Sequence, residues 1–98
     1  MSGGNVFADI GLPNADEVLF KADLAIAIGG IIARRRLAQS RAAEIVGIDQ
    51  PKVSALVSGD TRGFSAERLI KILTKLGQDV DIRVHDSRKT KGRVRVAA

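Results

Sequence analysis

The chain has 98 residues, 45% apolar, 28% charged and only 3% aromatic, with a formal net charge of +5. That length supports one compact domain with one core, and the apolar content excludes a disordered charged tail as the whole protein. The absence of cysteine, with His85 as the single histidine, excludes disulfides, thiolate zinc sites, iron–sulfur clusters, cysteine nucleophiles and a multi-histidine site within one chain, so no cofactor or metal is expected.

Met1 to Gly4 is small and polar, and Val6, Phe7, Ile10 and Leu12 follow as a short apolar patch. Residues 1–13 therefore read as an N-terminal segment that covers a core edge. Pro13-Asn14 marks a helix start, with Asn14 as N-cap and Asp16 and Glu17 at the positive end of the dipole. From Ala15 to Arg36 the pattern is helical, and Leu24, Ile28, Ile31 and Ile32 fall on one stripe. Arg34, Arg35 and Arg36 occupy its expected last turn, where cations suit the negative end. Gly29-Gly30 costs about 1 kcal/mol per glycine relative to alanine. It reads as close helix packing or a small kink, since no Lys-Ser/Thr follows to complete a phosphate loop.

Beyond Gln39 the helices become short. Ser40 to Val46 makes about two turns, and Gly47 stops it as a residue able to take positive φ. Asp49 caps a new helix, with Gln50 at its first position, Pro51 in its first turn, and Val53, Leu56 and Val57 as its buried face. Ser58-Gly59-Asp60 ends it, and Thr61 to Gly63 reads as loop. Ser65 caps a further helix running to about Leu76, with Leu69, Ile72, Leu73 and Leu76 as its stripe and Gly77 as its stop. Residues 14–78 thus form the predicted helical domain.

Residues 79–84 change period, alternating strictly with Val80, Ile82 and Val84 on one face. A strand needs a partner, and the chain offers none. The expectation is a dimerisation strand over 79–85, in which Val80, Ile82 and Val84 pair antiparallel with the same strand of a second copy. His85 reads as a solvated side chain. Residues 86–98 carry Arg88, Lys89, Lys91, Arg93 and Arg95 and read as a disordered basic tail, a DNA or RNA arm or a solubilising terminus.

Charge is unevenly placed. Residues 1–30 hold four acids and one base, whereas residues 31–98 hold fifteen bases and seven acids. The basic part points to a polyanion. The longest apolar run, Leu24 to Ala33, is too short to span a bilayer, and the start lacks the basic and apolar regions of a signal peptide. No membrane association and a cytoplasmic location are expected.

Residues 39–58 fit a helix-turn-helix. Ala43 is small where the two helices cross, Gly47 supplies the turn, and Val46, Ile48, Val53 and Leu56 lock the second helix on the first. That lock lets the second helix enter a DNA major groove at a fixed angle. The competing reading is an ordinary helical hairpin.

Leu37-Ala38-Gln39, Ala42-Ala43, Gly47 to Leu56 and Ser58-Gly59 resemble XRE-type regulators with a λ-repressor-like domain. Gly4 to Asp9 and Leu76 to Ile82 resemble HigA-like antitoxins of toxin–antitoxin pairs, and the resemblance covers about residues 4–85. It implies a mainly all-α bundle. It sets Gln39 at a helix start facing a phosphate, and Gln50, Pro51, Lys52, Ser54 and Ala55 toward the major groove. One departure is Ala38, where the family usually has threonine, so a capping hydroxyl worth about 1 kcal/mol is missing.

From the residues themselves, Gln50 suits adenine, Lys52 suits guanine or a phosphate, and Ala55 suits a thymine methyl. Lys52 and Ser54 also fit a plain solvated surface. Arg62, in the loop after the second helix, is either a phosphate contact or solvated. No nucleophile–base pair is visible, so no catalytic residues and no enzyme are expected.

The expected function is a sequence-specific repressor that binds double-stranded DNA at a palindromic operator as a homodimer. The resemblance adds an antitoxin role, with a HigB/RelE-like toxin as partner; the alternative is a stand-alone XRE-type repressor. The apolar residues 6–12 either cover such a toxin or close the chain's own core.

Overall fold

The computed structural model describes residues 14–89 and 91–97, so the expected N-terminal segment 1–13 lies outside the described residues. Four helices follow one another: α1 (Asn14–Arg34), α2 (Gln39–Val46), α3 (Gln50–Val57) and α4 (Ala66–Lys75). α1 packs along α4 and α3, while α2 packs on α3 and, less, on α4. The core lies between these layers, with Ile28, Val53, Leu69 and Leu76 deepest, and Phe20 and Phe64 closing it. All four residues of the expected α1 stripe and all four of the expected α4 stripe are buried. The helical period of the apolar residues therefore does set the core.

α1 is shorter than its pattern predicts. It ends at Arg34, and Arg36 takes a left-handed φ of 52°. Arg36 N–H donates to the Ala33 carbonyl at 3.1 Å and Leu37 N–H to the Ile32 carbonyl at 3.0 Å. These two bonds form a Schellman closure, and Leu37 is turned back onto the core. α3 and α4 close in the same way, but there a glycine holds the left-handed position, Gly59 and Gly77.

Two further expectations are corrected. A Cβ placed on Gly29 or Gly30 would meet nothing within 4 Å, so close helix packing does not explain the pair. Val57, expected in the core, is 45% exposed, because it falls on the flank of α3 nearer Gln50 than Val53 and Leu56.

The strand expected over 79–85 is not formed. A ladder needs backbone hydrogen bonds to a neighbour, and among the described residues this segment makes none. Val80 packs partly on the core, while Ile82 and Val84 are 78% and 94% exposed. The tail read as disordered returns to α1. Val94 packs partly on the core, and Arg95 grips Asp23 through Nε–Oδ2 at 2.7 Å and Nη2–Oδ1 at 3.2 Å. This contact, with the Val96 N–H behind it, holds the Asp23 carboxyl below the usual carboxylate range. Among the described residues, no helix is long and apolar enough to cross a membrane.

Candidate nucleic-acid interface

The turn between α2 and α3 is three residues long, Gly47-Ile48-Asp49. Gly47 takes φ 73°, and its N–H and that of Ile48 both reach the Ala43 carbonyl, at 2.8 and 3.1 Å. The short reversal needs that left-handed residue, which glycine adopts without a Cβ clash. Ala42, Ala43 and Val46 from α2, with Val53 and Leu56 from α3, bury the crossing. The C-terminus of α2 has no base of its own; Lys75 of α4 supplies one, donating from Nζ to the Val46 carbonyl at 3.3 Å.

The two helix starts differ. Asp49 caps α3, its Oδ1 accepting from the Lys52 N–H at 3.1 Å, and Pro51 sits where no N–H is needed. At α2 the cap position is Ala38, with no side-chain bond. The N–H groups of Gln39, Ser40 and Arg41 therefore find no acceptor among the described residues. Such open N–H groups at the positive end of a helix suit a phosphate.

Of the residues expected at the interface, Gln50, Pro51, Lys52 and Ser54 are exposed on α3, and Ala55 is half-buried. Pro51, Ser54 and Ala55 point away from Val53 and Leu56, with Gln50 on one flank and Lys52 on the other. Gln39 is half-buried at the start of α2. Because α2 and α3 share one buried crossing, these positions belong to one rigid unit.

Arg62 stands differently. Its Nε and Nη2 each bond Asp60 at 2.9 Å, and its N–H also reaches Asp60 Oδ1. The guanidinium draws the Asp60 carboxyl down to about 2. An exposed, internally neutralised arginine attracts a phosphate less than a free one, since the phosphate competes with the carboxylate.

A helix-turn-helix domain family model matches residues 6–85. A solved structure classed as an XRE-family transcriptional regulator is 42% identical, with a TM-score of 0.76, covering 88% of this chain and 97% of that one. The chain belongs to the XRE family of helix-turn-helix transcriptional regulators. No curated protein matches it.

In this XRE-family chain the residue reading missed Val57. It lies seven residues after Gln50, on the same side of α3, so helical spacing already carried the signal. Its exposed methyls offer an apolar contact beside Gln50.

Proposed function

We propose that the protein is a sequence-specific repressor that binds a palindromic operator in double-stranded DNA as a homodimer. The observation that carries this reading is the α3 start: a capped, rigidly held first turn that presents Gln50, Pro51 and Lys52 to solvent. Gln50 reads a base edge, Ser54 and Ala55 follow one turn later, and Gln39 with the open N–H groups of α2 takes a phosphate. Ile82 and Val84, exposed on an unpaired segment, join Val80 in meeting the same segment of a second copy. The sequence likeness of residues 4–9 and 76–82 to HigA-like antitoxins supports a further role, neutralising a HigB/RelE-like toxin in the cytoplasm while repressing the shared operon.

The test is a salt titration of binding to an operator fragment and to a shuffled fragment. Gln50→Ala should cost about 1–3 kcal/mol on the operator and little on the shuffled DNA. Arg62→Ala should weaken both only slightly and flatten the salt slope by less than about 1, because Asp60 already holds its guanidinium. Asp60→Asn should steepen the slope by freeing Arg62. Equal losses on both fragments for Gln50→Ala would remove the base-reading role. Co-purification of a small basic ribonuclease from the neighbouring gene supports the antitoxin role, and a chain that purifies alone in the presence of that gene's product favours a stand-alone repressor.

A further inference from the structure

We infer that α1 carries a docking face for a second copy of this chain, an inference that rests on the homodimer reading and gives it a surface beyond residues 79–85. Between Asp23 and Arg34 the helix has no charged residue. Its buried stripe accounts for only part of its circumference. A second apolar face runs along the other side through Val18, Leu19, Ala22, Ile26, Gly30 and Ala33. At 3.6 residues per turn these positions fall within a sector of about 120°. Ile26, at its middle, is 73% exposed, and Val18 and Leu19 are exposed as well. A helix apolar on nearly all sides is built to be covered on all sides. Here no described residue covers one side.

The face matches itself. A two-fold axis near Ile26 lays two copies of α1 antiparallel. Ile26 then meets Ile26, Ala22 meets Gly30, and Leu19 meets Ala33 of the second copy. Large side chains fall against small ones, and the open space above Gly30, where an added Cβ meets nothing within 4 Å, receives a neighbour. The flanking charges match too. Asp16 and Arg34 lie on the same flank at opposite ends of α1, so the antiparallel pair sets each Asp16 beside Arg34 of the second copy. Arg34 has no ion-pair partner among the described residues; Asp16 has none within salt-bridge distance, but it lies in the field of Arg95, which holds Asp23 on the same flank. The antiparallel arrangement also sets the positive N-terminal end of each helix beside the negative C-terminal end of its neighbour. A foreign partner would have to reproduce this two-fold pattern, whereas a second copy has it already.

From Val18 to Ala33 the face is about 22 Å long and covers roughly 300 Å² per copy, small for a stable interface, so the dimer it supports is a weak one. It is read by sedimentation equilibrium of the full chain without DNA, up to ~100 μM, which separates it from any failure of DNA reading. The wild type should dimerise, and Ile26→Asp should raise the dimer dissociation constant by at least ~100-fold with helix content unchanged. Asp16→Arg and Arg34→Asp should each weaken the dimer about tenfold, and the double variant should recover to within ~3-fold of wild type, because both ends then match again. A dimer indifferent to Ile26→Asp but lost in Ile82→Asp overturns the inference. So does a double variant no better than the singles. A wild-type chain that stays monomeric, with Ile26→Asp lowering its melting temperature, overturns it as well and puts a segment of the same chain on the face.

Discussion

α1 and α3 both bury one face, yet they treat the other face in opposite ways. On α3 the side away from Val53 and Leu56 is short and has no large apolar residue, carrying Pro51, Ser54, Ala55 and Ser58 between Gln50 and Lys52. On α1 the side away from Ile28 is apolar for most of its length, with Ile26 at its centre. A polar outer face is at rest in water and free to exchange that water for base edges and phosphates. An apolar outer face is not, and its exposure marks a contact still to be made. On the reading proposed above, the difference separates two kinds of partner: nucleic acid on α3 and a second copy of the chain on α1.

The sharpest way to break that comparison is inside α1. Ile28→Ala, on the core side, should destabilise the fold by about 2–5 kcal/mol, because it leaves a cavity among fully packed neighbours. Ile26→Ala, two residues away on the open side, should change the stability of the dilute chain by less than ~0.5 kcal/mol. Urea denaturation followed by helix content reads both. Similar losses would mean that the outer face is covered within the same chain.

The next effect sharpens the contrast between the two helix starts of the DNA-binding unit. Asp49→Ala removes a formed cap and should cost about 1 kcal/mol, whereas Ala38→Ser supplies a missing one and should gain about as much. Thermal melting reads the stability. The serine hydroxyl also competes for the N–H groups proposed above to take a phosphate, so Ala38→Ser should not tighten DNA binding in proportion to its gain in stability.

A smaller gain is expected at the end of α1. Arg36 holds the left-handed position that Gly59 and Gly77 hold after α3 and α4. Arg36→Gly should relieve the Cβ clash at a cost in unfolded-chain entropy, for a net stabilisation of about 0.5–1 kcal/mol. Equilibrium unfolding of the variant checks it, and a loss of stability would show that the arginine side chain contributes more than its backbone costs.

The smallest effect concerns the tail that edges α1. The folded Asp23 carboxyl lies below its ordinary value, chiefly because Arg95 hydrogen-bonds it. Its contribution is therefore complete above the ordinary aspartate range and fades as pH falls through the folded value. The protection factor of the Val96 amide, its exchange relative to the intrinsic rate at the same pH, should fall on acidification, and Asp23→Asn should abolish it at neutral pH. A protection factor that persists unchanged with pH in the variant would show that Val94 alone holds the tail.

The helices, their order and most of their caps were legible in the residues, because a cap and a 3.6-residue stripe are local properties. Asp49 and Ser65 bond the N–H three residues on, and Leu69, Ile72, Leu73 and Leu76 must share a side of any helix they form. The polar start of α3 was legible for the same reason. Tertiary structure decided what depends on neighbours distant in sequence. It set the end of α1 two residues early, since Leu37 had a core to reach. It turned Val57 outward, since α1 and α2 already fill the space around Val53 and Leu56. It paired Arg62 with Asp60 through a loop shape that no periodicity encodes, and it joined Asp23 to Arg95 across 72 positions. The alternation of Val80, Ile82 and Val84 gives the pattern of a strand without the second backbone that makes one. Periodicity names a face, and only a neighbour in space decides whether that face is covered.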